Sequence, residues 1–315
     1  NFFNMINNIK GINLNHSFIF FLFCNIISLI TFKAKNFSIS PLICLFLILV
    51  IGVSHGSLDH IKGKRLLKIF DIKNVFIFYV SYILLTIFII IAWVLLPAIS
   101  LLLFLIVASY HFGKEDTQFL TTNHNSINSL LYFFKGSLII LAPMFFHFDE
   151  TVTIYKFLLV EDETFYTILD YIETNKILLI GIVLSTLSSV LLFIKEFEIK
   201  KFVIFLDYFS IIILNYYLSP LVAFTLYFCF LHSLRHSISL IIEIDNLDFN
   251  NGLIKFLKKA LPLTILTAIL CVISLFFLNN IYDLNSSILK VIFIGLASLT
   301  FPHILLEYLL EKYEK

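Results

Sequence analysis

The sequence predicts an all-α, polytopic membrane bundle of about ten transmembrane helices, with eight to ten compatible with its pattern. Three observations carry that expectation. The 315-residue chain is 60% hydrophobic and 14% charged, with a mean hydropathy of +0.98, whereas a water-soluble domain of this size needs far more charge to cover its surface. Its apolar stretches are Leu-, Ile- and Phe-rich runs of about 17–23 residues, the length at which a helix crosses a hydrocarbon core. The runs also lack the two-residue alternation that a membrane barrel requires.

In chain order the spans are expected near 16–32, 37–54, 75–96, 98–112, 129–148, 177–194, 202–218, 220–242, 261–278 and 288–306. Asn25 and Ser28 interrupt the first, which is the weakest. It shows no small-x-small cleavage site and is followed by Lys33 and Lys35, so it reads as a retained span. Pro97 separates the third and fourth spans, and Ser219-Pro220 the seventh and eighth, as in tight turns between antiparallel helices. The longest connection, about 149–176, is acidic. Residues 1–315 therefore read as a single transmembrane helical domain without a soluble insertion. The four cysteines, Cys24, Cys44, Cys229 and Cys271, lie inside apolar runs without metal-type spacing and read as packed thiols. A net charge of +1 gives no footing for nucleic acid.

Lys and Arg are distributed unevenly over the connections. With ten spans, Lys10, Lys62, Lys64, Arg65, Lys68, Lys73, Lys114, Lys195, Lys200, Lys201, Lys255, Lys258, Lys259 and the Lys312–Lys315 tail fall on one side. Lys33, Lys35, Lys156, Lys176 and Lys290 fall on the other. The asymmetry places both termini in the cytoplasm of a cell whose inner membrane the chain crosses.

Six of the nine histidines then gather at one depth, in the cytoplasmic half of the bilayer. His55 and His60 close the second span, His111 closes the fourth, His232 and His236 occupy the last part of the eighth, and His303 lies near the end of the tenth. Neutral imidazole is the commonest metal ligand, and facing helices of a bundle are where such sites are made. His232 and His236 are four apart, hence on one helix face. His55 and His60 are five apart and share an ion only if the helix unwinds, which Gly56 would permit. Asp59 is placed to accept a ring N–H beside the site. Arg235 is expected to snorkel to the interface, and Glu115 and Asp116 to be solvated loop charges. No buried carboxylate pair is legible. His16, His124 and His147 read as residues of connections or interfaces. Imidazole ligation without thiolate suits Fe, Cu or Zn.

Four motifs in order, Gly-x-x-His-Gly-x-x-Asp-His (52–60), Ser-x-His-Phe-Gly-x-x-Asp (109–116), His-x-x-Arg-His (232–236) and Pro-His-x-x-Leu (302–306), resemble the Brp/Blh family of β-carotene 15,15′-dioxygenases. The resemblance spans about 250 residues, essentially the whole bundle. It implies a non-haem Fe(II) centre, dioxygen as co-substrate, and cleavage of the central double bond of β-carotene to two molecules of all-trans-retinal. It places the metal ligands at His55, His111, His232 and His236, with Asp59, His60 and His303 in support. It further implies a substrate tunnel near Tyr110, Phe112, Tyr227 and Phe228, substrate entry from membrane lipid, and a functional link to a retinal-binding rhodopsin. Because the ligands lie off the midplane, the rod-like substrate is expected to lie oblique or bent.

Other readings stay open on the residues alone. A membrane di-metal hydroxylase or desaturase would usually carry adjacent His-His pairs, which this chain lacks. A transporter or haem-binding carrier would use paired histidines from facing helices, with ionisable groups near the midplane; Lys135 and Asp207 are the candidates for such groups.

Overall fold

The computed structural model describes residues 2–33, 39–120, 126–195, 197–245 and 247–314, with the side chains of 2–8 and of His55 outside the description. Secondary structure among the described residues is helical. The elements are α1 (Phe2–Lys33), α2 (Pro41–Leu47), α3 (Asp59–Ile69), α4 (Phe76–Leu95), α5 (Pro97–Glu115), α6 (Ser126–Phe146), α7 (Phe148–Phe157) and α8 (Glu163–Thr174). They continue through α9 (Ile177–Ile194), α10 (Val203–Tyr217), α11 (Pro220–Leu226), α12 (Leu234–Ile244), α13 (Phe249–Leu278) and α14 (Leu284–Tyr313).

Eight helices among the described residues are long and apolar enough to cross a membrane, or nine if one bent pair counts as a single span. The seventh expected span, 202–218, holds the shortest helix among the expected spans that form one continuous helix: α10 has 15 helical residues. A 3-10 turn carrying Lys200 and Lys201 precedes it, and Ser219-Pro220 stops it. The acidic connection is not irregular, since α7 and α8 fill most of it. The fourth span does not stop at 112 but continues to Glu115, which proves decisive for the site.

Proline and serine set several starts. Ser40 accepts the Leu42 N–H and Pro41 occupies the first helical position of α2; Pro97 and Pro220 do the same for α5 and α11. Two helices are interrupted where histidines follow. Between α2 and α3 the chain passes through a π turn (Ile48–Gly52) and a 3-10 stretch (Val53–Leu58), and the two arms are bent by 41°. Between α11 and α12 lies a π turn, Tyr227–Ser233. Wider turns of this kind release backbone carbonyls from regular pairing. The Phe230 carbonyl accepts from His16 Nε2 at 2.8 Å, and the Ser233 hydroxyl donates to the Gly52 carbonyl at 3.1 Å. His16 is thus not an interfacial residue but a brace for the broken helix.

The bundle has a clear inside. Of its best apolar window, 72% is buried for the α11–α12 span, against 6% for α4 and for α13. The α11–α12 span is therefore the central post, with α4 and α13 forming an outer layer suited to hydrocarbon. α5 and α6 cross with backbone against backbone. A Cβ on Gly113 would meet the Tyr132 carbonyl, and one on Gly136 the Ser109 carbonyl, so only glycine permits this crossing, as in other close contacts between membrane helices.

A buried ionic cluster ties α1, α10 and α12. Arg235 forms a bidentate pair with Asp207 (2.7 and 2.9 Å) and donates to Ser17 Oγ at 2.6 Å; Ser17 in turn donates to Asp207 at 2.8 Å. Arg235 is 2% exposed and does not snorkel. Pairing with Asp207 satisfies the charge where it sits. Lys135 is buried within electrostatic reach of Asp207 and Asp116.

Candidate metal centre

The central post supplies two histidines, α5 one and α14 one. The rings of His232 and His111 lie 5.4 Å apart, those of His111 and His303 5.5 Å, and those of His303 and His236 6.1 Å. His111, His232 and His303 are buried and His236 is half-buried. Four of the six histidines expected at one depth therefore meet. His55 lies outside the described side chains. His60 places Nδ1 2.9 Å from the Ser57 carbonyl, and neither His60 nor His232 belongs to the ligand groups below.

Three of the four rings have a carboxylate on Nδ1. Asp116 Oδ1 lies 3.1 Å from His232, Glu115 Oε2 3.2 Å from His236, and both oxygens of Asp59 2.8 and 2.9 Å from His303. A carboxylate can only accept, so each Nδ1 carries the proton; for His232 and His236 the lone pair of a neutral ring then falls on Nε2, whereas His303 has a carboxylate beside each ring nitrogen. That arrangement fixes the tautomer and raises the basicity of a metal-binding histidine. Glu115 and Asp116 are accordingly not solvated loop charges. α5 runs one turn further than its apolar pattern suggests and carries them into the interior, where Asp116 is 4% exposed. Asp116 also accepts the Tyr227 hydroxyl at 2.6 Å and its carbonyl accepts from Arg235 at 3.3 Å, so the ionic cluster is joined to His232. Asp59 likewise accepts the Tyr82 hydroxyl at 2.9 Å.

Sequence reasoning missed Glu307. It lies four residues after His303 on α14, and its Oε1 is 3.4 Å from His303 Nε2, with Oε2 4.0 Å from His111 Nδ1. Lys62 pairs with it at 2.7 Å. Two groups offer ligand atoms that all lie within 4.8 Å of one another: His236, His303 and Glu307, and His111, Glu115 and Glu307. The available signal was the i,i+4 spacing to His303, hidden because 307 falls past the end of the apolar run. Glu115 and Glu307, both half-buried, form a carboxylate pair beside His111 that the sequence did not show.

The aromatic residues divide. Phe112 meets the His232 ring edge-to-face at 4.8 Å, and Phe228 stacks on that ring at 5.8 Å. Tyr227 lies 6.2 Å from it, with its hydroxyl given to Asp116. Tyr110 is elsewhere, packed with Leu120, Tyr132 and Leu192 beneath Lys114. Two residues along a helix is about 200°, so Tyr110 and Phe112 cannot share a wall. The Cβ of any residue at 52 would strike the Phe228 ring, which explains the glycine there.

Two cavities flank the histidines. One, of about 320 Å³, reaches His232, His236, Glu115, Glu307, Lys62 and Arg235. The other, of about 70 Å³, lies behind Phe112 between α5, α6, α7 and α11, and is lined almost wholly by apolar side chains. The cluster thus stands between a polar chamber and an apolar one. Its donor set of imidazoles with flanking carboxylates fits a divalent first-row transition metal.

The sequence profile of a family described as Beta-carotene 15,15′-dioxygenase matches residues 46–311. A curated protein named beta-carotene 15,15′-dioxygenase, from uncultured marine bacterium 66A03, is 29% identical over 276 residues, covering 83% of this chain and 90% of that protein. No solved structure matches the chain. All four histidine-bearing motifs lie within the matched region.

Proposed function

The chain belongs to the beta-carotene 15,15′-dioxygenase family, and on that premise we propose that it is a membrane-embedded Fe(II) dioxygenase. It cleaves the central double bond of β-carotene with O2 to give two molecules of all-trans-retinal. The observation that carries this reading is the meeting of His111, His232, His236 and His303, three of them with a carboxylate on Nδ1.

His111, His232 and His236 are the proposed ligands from this cluster, with His55 added from its motif. His303 and Glu307 stand close enough to ligate or to position, while His60 and Asp59 act as supports. Fe(II), when bound, supplies activation of dioxygen beside the polyene. The protein's own part is to hold the imidazoles neutral and oriented, and to keep the hydrocarbon against Phe112 and Phe228. Asp116 and Asp59 retain the Nδ1 protons of His232 and His303. Each oxygen atom of O2 ends in one aldehyde, so the scission requires no net proton transfer.

The substrate enters from membrane lipid and lies oblique or bent, with one part in the apolar cavity that leads away from Phe112. The excess of Lys and Arg at the histidine end supports a cytoplasmic position for that end and for both termini. A retinal-binding rhodopsin is the functional recipient of the product.

Expression in a β-carotene-producing bacterium tests the assignment. Bleaching of the orange colour with retinal in the extract is expected. His232→Ala or His236→Ala should abolish bleaching and lower bound iron; unchanged activity in either removes that residue from the ligand set. Because Glu307 belongs to both ligand groups, a di-metal hydroxylase is the second reading. Metal analysis separates the two, with about one iron per chain expected for the dioxygenase and two for the rival.

A further inference from the structure

Resting on the dioxygenase reading, we propose that the apolar cavity behind Phe112 seats one half of the carotenoid and measures the distance from its ring to the bond that is cut. The cavity begins one side chain away from His232. Phe112, one of its walls, touches the His232 ring at 4.8 Å, and Phe224, another, stacks on Phe228, which stacks on His232. From there it follows α5 back to Leu101. Ten residues separate Leu101 from His111, or about 15 Å at the rise of an α-helix. A C40 polyene is about as long as the bilayer core is thick, ~30 Å, so half of it matches that run.

Ile154, Tyr155 and Leu158 of α7 and its C-terminal turn form the wall at the far end, and Leu158 is held by the buried Trp93 indole N–H, which donates to its carbonyl at 2.9 Å. The Thr151 hydroxyl in the wall is already given to the His147 carbonyl at 2.8 Å. A ring seated against this wall would bring the central bond level with His111. The cavity's about 70 Å³ is well below the ~300 Å³ at which ligand pockets begin. Seating the polyene therefore requires the half-buried Phe224, Phe293 and Leu105 side chains to swing aside.

Two variants test the ruler, assayed with β-carotene in detergent micelles beside the unaltered protein. Ala108→Phe, a fully buried position midway along the cavity, should lower retinal formation at least tenfold while bound iron stays at the unaltered level. Leu158→Ala removes part of the far wall, so the polyene slides and a tenth or more of the product should be aldehydes of two unequal lengths. Iron content and melting temperature identify the folded fraction, and product pattern is read on that fraction alone. Unaltered rates for Ala108→Phe, or retinal as the sole product of folded Leu158→Ala, would overturn the ruler. If the unaltered protein forms no retinal, it is the dioxygenase reading that fails instead.

Discussion

Asp116 carries more of the site than any non-histidine residue. It takes the Nδ1 side of His232, the Tyr227 hydroxyl and, through its carbonyl, Arg235. Loss of such a partner typically weakens metal binding about 10–100-fold. Asp116→Ala is expected to raise the iron dissociation constant by that factor, read by titration of apoprotein, with Asp116→Asn less affected because its amide oxygen still accepts from Nδ1. An Asp116→Ala protein with unaltered iron affinity would sink this role. Histidine positions were legible because helical spacing and depth are simple functions of sequence number. The charged residues were not. Glu115, Asp116 and Glu307 sit where apolar runs end, and hydropathy alone cannot say whether a helix continues inward or stops at the interface. Arg235 was misjudged for the same reason: its partner Asp207 is 28 residues away on α10, and only the fold shows that the two share a depth.

At the level of elements, the spans were read well where an apolar run stood alone and badly where a helix changes type. A π turn has no composition signature, so the break at Tyr227–Ser233 could not be seen, although Gly56 did flag the unwinding after α2. The Arg235–Asp207 pair supports the post that carries this break. Arg235→Met leaves Asp207 buried without its partner and should cost about 3–5 kcal/mol. Arg235→Met with Asp207→Leu should recover most of that, since a well-packed apolar replacement is often neutral or stabilising. Thermal unfolding in detergent reads both, and equal instability in the single and double variants would mean the pair matters for packing and not for charge. The α5–α6 crossing sets a second element-scale expectation. Gly136→Ala puts a methyl into the Ser109 carbonyl, backbone that cannot move without shifting the turn that ends in His111 and Phe112. A loss of about 1–3 kcal/mol or more is expected, and a melting temperature unchanged within error would show that the crossing is looser than its geometry.

For the molecule as a whole, the metal joins helices that sequence separates widely. Its candidate ligands come from α5, from the α11–α12 span, which is the most buried in the bundle, and from α14. An ion that binds only the folded bundle stabilises it by mass action, about 4 kcal/mol when free metal exceeds its dissociation constant a thousandfold. Chelation should therefore lower the melting temperature by several degrees, and Fe(II) should restore it. His232→Ala should start at the lower temperature and respond to neither treatment. Without the ion, the burden of holding the four rings together falls on carboxylates that already engage them, Asp59, Glu115 and Asp116, with Lys62 offsetting the charge of Glu307. The apoprotein is accordingly expected to remain folded, with its helix content retained by circular dichroism at room temperature. Collapse of helicity on chelation would mean that the histidines converge only around metal, and that the preorganised cluster seen between these helices is not a property of the chain itself.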